Sequence, residues 1–289
     1  MTTKAGRGLA GICLQISGPE FISVQTGKSG TYRSLPLKPG RYEVHFNAGC
    51  GNTGNWAPQY YKNATTEKNE RKVTVTAGHT TRNIDAVMHQ GAVVTGTVTN
   101  SSGKPIPAIC IAVLLPGKGQ IPLVITRTSK RGFYRAERIV PGRYRVEFLA
   151  RCGGNHANYA PQQWKGKTLS QQPTLVQLTA GRVTPHINAR MTVGAEISGM
   201  VTEGSSSGMP LKGICVRVEG QGPLAGFDSF GTTNGDGTYF VNGLATGKYK
   251  VNFNGCADNP DNVQPETVPG VHLTTGKKTT VNGVVQPAS

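Results

Sequence analysis

One set of landmarks occurs three times in the 289 residues, and a chain that repeats itself at this spacing must fold as a few small domains of one plan. The glycines Gly30, Gly132 and Gly237 each stand 12 residues before a tyrosine: Tyr42, Tyr144 and Tyr249. Six cysteines fall two per copy, Cys13 with Cys50, Cys110 with Cys152 and Cys215 with Cys256, at separations of 37, 42 and 41. Successive first cysteines lie 97 and 105 residues apart. That is the size of a small β domain, not of a solenoid unit of roughly 20 to 50 residues. The copies divide the chain into domains 1–90, 91–190 and 191–289.

Within each copy the residues alternate. Ile12, Leu14 and Ile16 oppose Cys13 and Gln15, and Ile214, Val216 and Val218 oppose Cys215 and Arg217. A period of two is the mark of a half-buried strand. The run Tyr42, Val44 and Phe46 alternates with Arg41, Glu43 and His45 in the same way. By that parity Cys50 falls on the apolar side and Cys13 on the other, so a bulge or a strand end is expected near Asn47 to Gly49. The 39 glycines and 18 prolines show no period of three, which excludes collagen, and helix formers never gather with a 3.6-residue spacing. The expectation is an all-β chain of three tandem β-sandwich domains.

The first copy lacks a counterpart to Thr95–Val98 and Ile197–Val201. Either the segment begins inside a domain, or the open edge of domain 1 is completed by a strand from another chain.

Cys-x-x-Cys pairs are absent, and two sulfurs about 40 residues apart with no recurring histidine make poor zinc ligands. One disulfide inside each copy is the reading, against buried free cysteines acting as small hydrophobes. Closing a loop of about 40 residues contributes roughly 4 kcal/mol in the chain-entropy account. Disulfides imply an oxidising compartment, outside the cell or at its surface. Met1–Lys4 opens no apolar secretion segment, and no stretch of 18 apolar residues would span a membrane.

The landmarks Gly96-Thr97-Val98, Gly103-Lys104-Pro105-Ile106, Thr128–Tyr134 and Pro141-Gly142-Arg143-Tyr144-Arg145-Val146 carry a family resemblance. Thr26–Tyr32 with Pro39–Val44, and Thr233–Tyr239 with Thr246–Val251, repeat them, the last without the proline. The copies resemble carboxypeptidase regulatory-like domains, members of the transthyretin/prealbumin-like (Ig-like) β-sandwiches and close to collagen-adhesin B-type repeats. The resemblance implies prealbumin-like sandwiches serving as accessory, spacer or adhesive modules of secreted proteins. Adhesin relatives carry a Lys–Asn isopeptide bond. The matched last-strand positions are Asp85, Asn188 and Asn282, but the first strands hold no lysine, so that bond is not expected.

Two features offer binding surfaces. After the second cysteine, Gly51–Lys62 and Gly153–Lys165 hold Ala-Pro-Gln flanked by aromatics: Trp56, Tyr60 and Tyr61 in one copy, Tyr159 and Trp164 in the other. Copy three has Asn262–Glu266 and no aromatic there. The rings either stack on sugars, with Asn52, Asn55, Gln59, Asn155, Asn158 and Gln162 between them, or plug the open end of each sandwich. Charge is the second feature. Domain 1 has 11 basic and 5 acidic residues, domain 2 has 14 and 2, and domain 3 has 6 and 8. In domain 2, Arg127, Lys130, Arg131, Arg135, Arg138, Arg143 and Arg145 form a basic patch, with Arg143 and Arg145 on the solvent face of one strand. Such a field attracts anionic glycans, wall polymers, membrane headgroups or nucleic acid, or the acidic domain of a neighbouring molecule in a head-to-tail polymer. Nucleic acid is an unfavoured partner, for no recognition helix, RNP-like strand or zinc finger accompanies the charge.

The six histidines do not recur at matched positions, apart from those near the turn region, and no paired-carboxylate or Gly-x-Ser-x-Gly pattern occurs. Asn234-Gly235-Asp236-Gly237 supplies two ligands of a calcium loop and lacks the rest, so a turn is expected. No catalytic residue, metal or cofactor is assigned, and the chain is not expected to be an enzyme. The sequence points to an extracellular structural or adhesive repeat protein presenting binding surfaces on a semi-rigid rod. A carbohydrate or anionic wall-polymer module and a self-assembling filament subunit are the alternatives.

Overall fold

The computed structural model describes residues 1–117, 121–150, 152, 155–256 and 263–287. Of the segments singled out above, Gly153 and Asn262 lie outside the described residues. The chain is all-β, built of tandem β-sandwich domains, and each repeat is closed by its own disulfide: Cys13–Cys50, Cys110–Cys152 and Cys215–Cys256. The first repeat forms β1 (Ile12–Ser17), β2 (Phe21–Gln25), β3 (Gly40–Ala48), β4 (Gln59–Tyr60) and β5 (Val73–Val75). The second forms β6 (Ala92–Asn100), β7 (Cys110–Leu114), β8 (Val124–Arg127), β9 (Phe133–Ile139), β10 (Gly142–Leu149), β11 (Gln162–Gln163), β12 (Val176–Leu178), β13 (Val183–Thr184) and β14 (Ala189–Met191). The third forms β15 (Ala195–Glu203), β16 (Ile214–Gly220), β17 (Asp228–Thr232), β18 (Thr238–Leu244), β19 (Gly247–Gly255), β20 (Val263–Gln264), β21 (Glu266–Leu273), β22 (Lys278–Thr280) and β23 (Gly283–Pro287).

Contacts divide the chain into two compact units. The first is Met1–Thr95 with Ala136–Arg143 and Gln177–Pro185, and the second is Gly96–Arg135 with Tyr144–Val176 and His186–Ser289. The middle repeat therefore contributes to both.

In the first unit the sheet runs β2-β1-β3-β4, with β5 also on β3. Antiparallel pairing of β1 with β3 sets Leu14 opposite Phe46 and Ile16 opposite Val44. Ile12, Leu14, Ile16, Tyr42, Val44 and Phe46 fill the core on that face. The opposite face carries Cys13, Gln15 and Ser17 against Asn47, His45 and Glu43. The cysteine parity conflict is resolved at the strand end. β3 stops at Ala48 and Gly49 takes φ +148°, which turns the chain so that Cys50 reaches Cys13.

In the second unit, β7 lies between β10 and β8, and β16 lies between β19 and β17, so the same sheet is built twice. The opposing layer of repeat three runs β18-β15-β23-β20, with β22 also on β15.

The recurring motif has a physical cause in each copy. The threonine that opens it is buried: Thr26 Oγ1 donates to Leu9 O, Thr128 Oγ1 to Ile106 O and Thr233 Oγ1 to Leu211 O. Each also accepts from the backbone N–H of Ile12, Ile109 or Ile214, tying the turn to the start of the cysteine strand. The glycines Gly30, Gly132 and Gly237 take φ of +78°, +70° and +74°, a conformation that costs glycine nothing. The tyrosine two residues on donates across the sandwich to the last-strand segment: Tyr32 to Ile84 O, Tyr134 to Ile187 O and Tyr239 to Val281 O.

Candidate functional site

The two aromatic loops are built alike. Ala57 N–H donates to His89 O and Ala160 N–H to Thr192 O, latching each Ala-Pro-Gln segment to the chain at the following repeat boundary. Tyr60 N–H then donates to Ala64 O and Gln163 N–H to Lys167 O, closing a tight turn. Its central residues take positive φ in both copies: Lys62 (+64°) and Asn63 (+60°), Lys165 (+65°) and Gly166 (+67°), the geometry of a type I′ turn. Three of these four lack the freedom of glycine, so the turn stores backbone strain.

At each tip an ammonium sits over an aromatic face: Lys62 Nζ lies 5.1 Å from the Tyr61 ring centre and Lys165 Nζ 5.0 Å from that of Trp164. Trp56 and Tyr61 are half-buried and pack against the first core, which is the plug arrangement. Tyr60 lies beside His45 with ring centres 4.7 Å apart. Burial holds the His45 imidazolium below its ordinary range. Tyr159 and Trp164 are half-buried.

Five of the six polar residues between the rings are engaged inside the protein, and Gln162 is buried with its Nε2 unpartnered. Asn52 Nδ2 donates to Ala10 O, Gln59 Nε2 to Val87 O and Asn155 Nδ2 to Pro107 O. Asn55 and Asn158 do more, because they join successive repeats. Asn55 Nδ2 donates to Gly91 O at 2.7 Å, and its Oδ1 accepts from the Arg138 N–H at 2.6 Å. Gly91 N–H donates back to Asn55 O at 2.7 Å. At the next junction Asn158 Oδ1 accepts from Gly243 N–H at 2.8 Å, and Gly194 N–H donates to Asn158 O at 3.0 Å. A Cβ on Gly91 would lie 2.8 Å from Arg138 Cα, and one on Gly194 2.9 Å from Gly243 Cα, so both linker positions require glycine.

This pair of asparagine clasps was missed in the sequence. The available signal was an asparagine directly before the aromatic of each Ala-Pro-Gln loop, together with a glycine 36 residues later in both copies.

The predicted basic patch separates into different roles. Arg127, Lys130, Arg131, Arg135 and Arg143 are exposed. Arg138 belongs to the first clasp, where its guanidinium donates to Ala48 O and Asn52 O, both at 3.2 Å. Arg145 corrects the expectation of a solvent-facing pair with Arg143. Its side chain is only 13% exposed, because Glu147 on the same face is buried and draws Arg145 Nε to 3.4 Å. Burial pushes the Glu147 carboxyl upward while Arg145 opposes that rise.

Asn188 Oδ1 accepts from Thr97 N–H and Asn282 Oδ1 from Met200 N–H, so both last-strand asparagines hold first-strand backbone. Asp236 accepts from the Thr238 N–H and hydroxyl, which hold its carboxyl below the usual range, and the segment is a hairpin turn. Among the described residues no group of three or more His, Cys, Asp or Glu side chains is placed to hold a metal ion. No helix among them is long and apolar enough to cross a membrane. Repeat three also carries an open groove of about 620 Å³ lined by Ser198, Met200, Asn234, Phe240, Lys278 and Asn282, which sequence reading did not anticipate.

No family profile matches the chain, and no curated protein matches it. Among solved structures it is similar to the Bacillus anthracis TIE protein, at 13% identity and a TM-score of 0.30. That match covers 99% of this chain and 49% of the other, so the chain spans about half that protein's length. The minor pilin GBS52 of Streptococcus agalactiae matches at 10% identity and a TM-score of 0.34, over 68% of this chain and 97% of the pilin. The major pilin subunit BcpA of Bacillus cereus matches at 9% identity and 0.24, over 99% and 97%. At these scores the likenesses carry no argument, and the fold rests on the chain's own geometry.

Proposed function

We propose that the chain is an extracellular structural or adhesive repeat protein in which three stapled domains, 1–90, 91–190 and 191–289, hold binding surfaces on a semi-rigid support. The observation that carries this reading is the recurrence of the asparagine clasp at both repeat junctions. A linker fixed by side-chain bonds at each end resists bending where a Gly/Ser tether would not. Three intrarepeat disulfides support an oxidising location and limit how far each repeat extends under load. No reaction is assigned to the chain.

Single-molecule pulling with and without reductant tests the mechanical reading. Reduction should lengthen each unfolding step by about 130–145 Å, the reach of roughly 40 released residues. Steps of equal length in both conditions would reject it.

A second reading, binding of an anionic glycan or wall polymer, is favoured by the paired lysine and aromatic at the two loop tips. Retention on an immobilised phosphodiester polymer that falls on Trp164→Ala and Lys165→Ala would support it, and unchanged retention would reject it. The filament reading draws on the segments 32–37 and 80–85, which form no strand in repeat one. Their counterparts in repeat three, β18 and β22, flank β15. Concentration-dependent polymers in light scattering would support strand addition there, and a strict monomer would reject it.

A further inference from the structure

The three repeats differ on the face of the first-cysteine sheet that carries that cysteine. In repeat one that face sets Gln15 against His45 and Ser17 against Glu43, and in repeat three Arg217 against Asn252 and Glu219 against Lys250. Both are polar. In repeat two the same positions are Ala112 against Glu147 and Leu114 against Arg145, and there Ala112, Leu114 and Glu147 are buried.

The apolar character continues outward onto β8, the end strand of the sheet β11-β10-β7-β8. Ala112 pairs with Ile125, which is 57% exposed; Leu123 is 51% exposed and Ile121 85%. Leu123, whose N–H donates to Val113 O, and Ile125 are two residues apart and so share one face of the edge, with Ile121 preceding the strand. On the other end strands Ile125 is matched by Ser23 in β2 and Phe230 in β17, and Leu123 by Phe21 and Asp228, so each of those edges carries a single exposed aromatic where β8 carries two successive aliphatics.

An exposed apolar end strand is a template for pairing with another backbone, and proteins ordinarily blunt such edges. Here Pro122 stops pairing at one end. At the other end the edge runs into Arg127, Lys130 and Arg131, all exposed. Residues 96–135 contain no Asp or Glu, and Glu137 is the first acid after them.

We infer that the β8 edge, Leu123–Arg127, binds an extended strand of an acidic partner protein. The added strand takes backbone bonds from the edge, lays alternate aliphatic side chains on Leu123 and Ile125, and sets its carboxylates beside Arg127, Lys130 and Arg131. A second copy of this chain is a poor occupant. Two β8 edges would bring like charges together, and five of the eight acids of repeat three are engaged internally: Glu196 with Lys278, Glu219 with Lys250, Asp228 with Arg217, Asp236 with Thr238 and Glu266 with the Val284 N–H.

The test uses the intact chain and a synthetic heptapeptide alternating glutamate and valine. Binding is followed by titration, and its location by amide hydrogen exchange. Added peptide should protect the amides of Ile125 and Arg127, and binding should weaken at least tenfold on Ile125→Glu and again as salt is raised. Leu123→Glu gives the same readout should Ile125→Glu fail to fold. Equal binding by the variants, equal binding by a peptide with lysine in place of glutamate, or protection elsewhere would overturn the assignment. A peptide-free dimer that Ile125→Glu dissolves would overturn it in favour of self-association.

Discussion

The two repeat junctions use one asparagine geometry and differ in the residue that it grips. At the first the gripped N–H belongs to Arg138 with φ +61°, and at the second to Gly243 with φ +72°. Glycine enters this left-handed conformation freely, whereas an ordinary residue is destabilised there by about 1–2 kcal/mol. Arg138 offsets that cost with two guanidinium bonds back to the carbonyls of Ala48 and Asn52, which Gly243 has no means to make. The gripped residue of the first junction is thus strained and bonded through its side chain, and that of the second is relaxed.

The largest expected effect is on the first clasp. Asn55→Ala leaves both Arg138 N–H and Gly91 O without their side-chain partner and should cost about 2–3 kcal/mol, read from urea unfolding midpoints. Asn158→Ala removes one bond, to Gly243 N–H, and should cost about 1 kcal/mol in the same assay. Equal losses would remove the distinction between the junctions. Arg138→Gly relieves the strain and gives up the two guanidinium bonds, so a net loss of about 1 kcal/mol or less is expected, with faster amide exchange at Gly91. A variant more stable than the native chain would show that those bonds contribute little.

A smaller, pH-dependent effect separates the junctions from the repeat cores. Burial raises Tyr134 and Tyr239 well above the ordinary phenol value and pushes Tyr32 and Tyr249 up to about 12. These groups are neutral in both states below pH 10, so their contribution is fully present there. Above pH 10 the unfolded chain ionises first, and stability falls as pH rises toward the folded-state values. A tyrosine contribution that is constant up to pH 10 and a decline in stability beyond it should appear in wild type and clasp variants alike. A clasp variant that shifts the onset of the decline would tie the tyrosines to the junctions.

The β-sandwich plan and the disulfide pairing were legible in the sequence because they rest on alternation, turn glycines and cysteine spacing, all local or periodic. The Thr-Gly-Tyr motif was visible as a pattern, although its work, two threonine bonds and one cross-sandwich tyrosine bond, needed coordinates. The clasps stayed hidden because Asn55 reaches partners 36 and 83 residues away, and an asparagine in a loop resembles any solvated residue. The basic patch was over-read for a related reason. Charge counting treats Arg138 and Arg145 as solvent cations, whereas one is spent on carbonyls and the other on buried Glu147. The aromatic loops were found, but not the lysine over each ring, because type I′ geometry at Lys62 and Lys165 is unusual for residues with a side chain.

Residual dipolar couplings on the intact chain, native and carrying Asn55→Ala with Asn158→Ala, give the most direct test of semi-rigid junctions. The native protein should fit one alignment tensor across each junction, and the double variant should require separate tensors on the two sides. Separate tensors in the native protein, or a single tensor retained without either asparagine, would contradict the clasp as the source of stiffness.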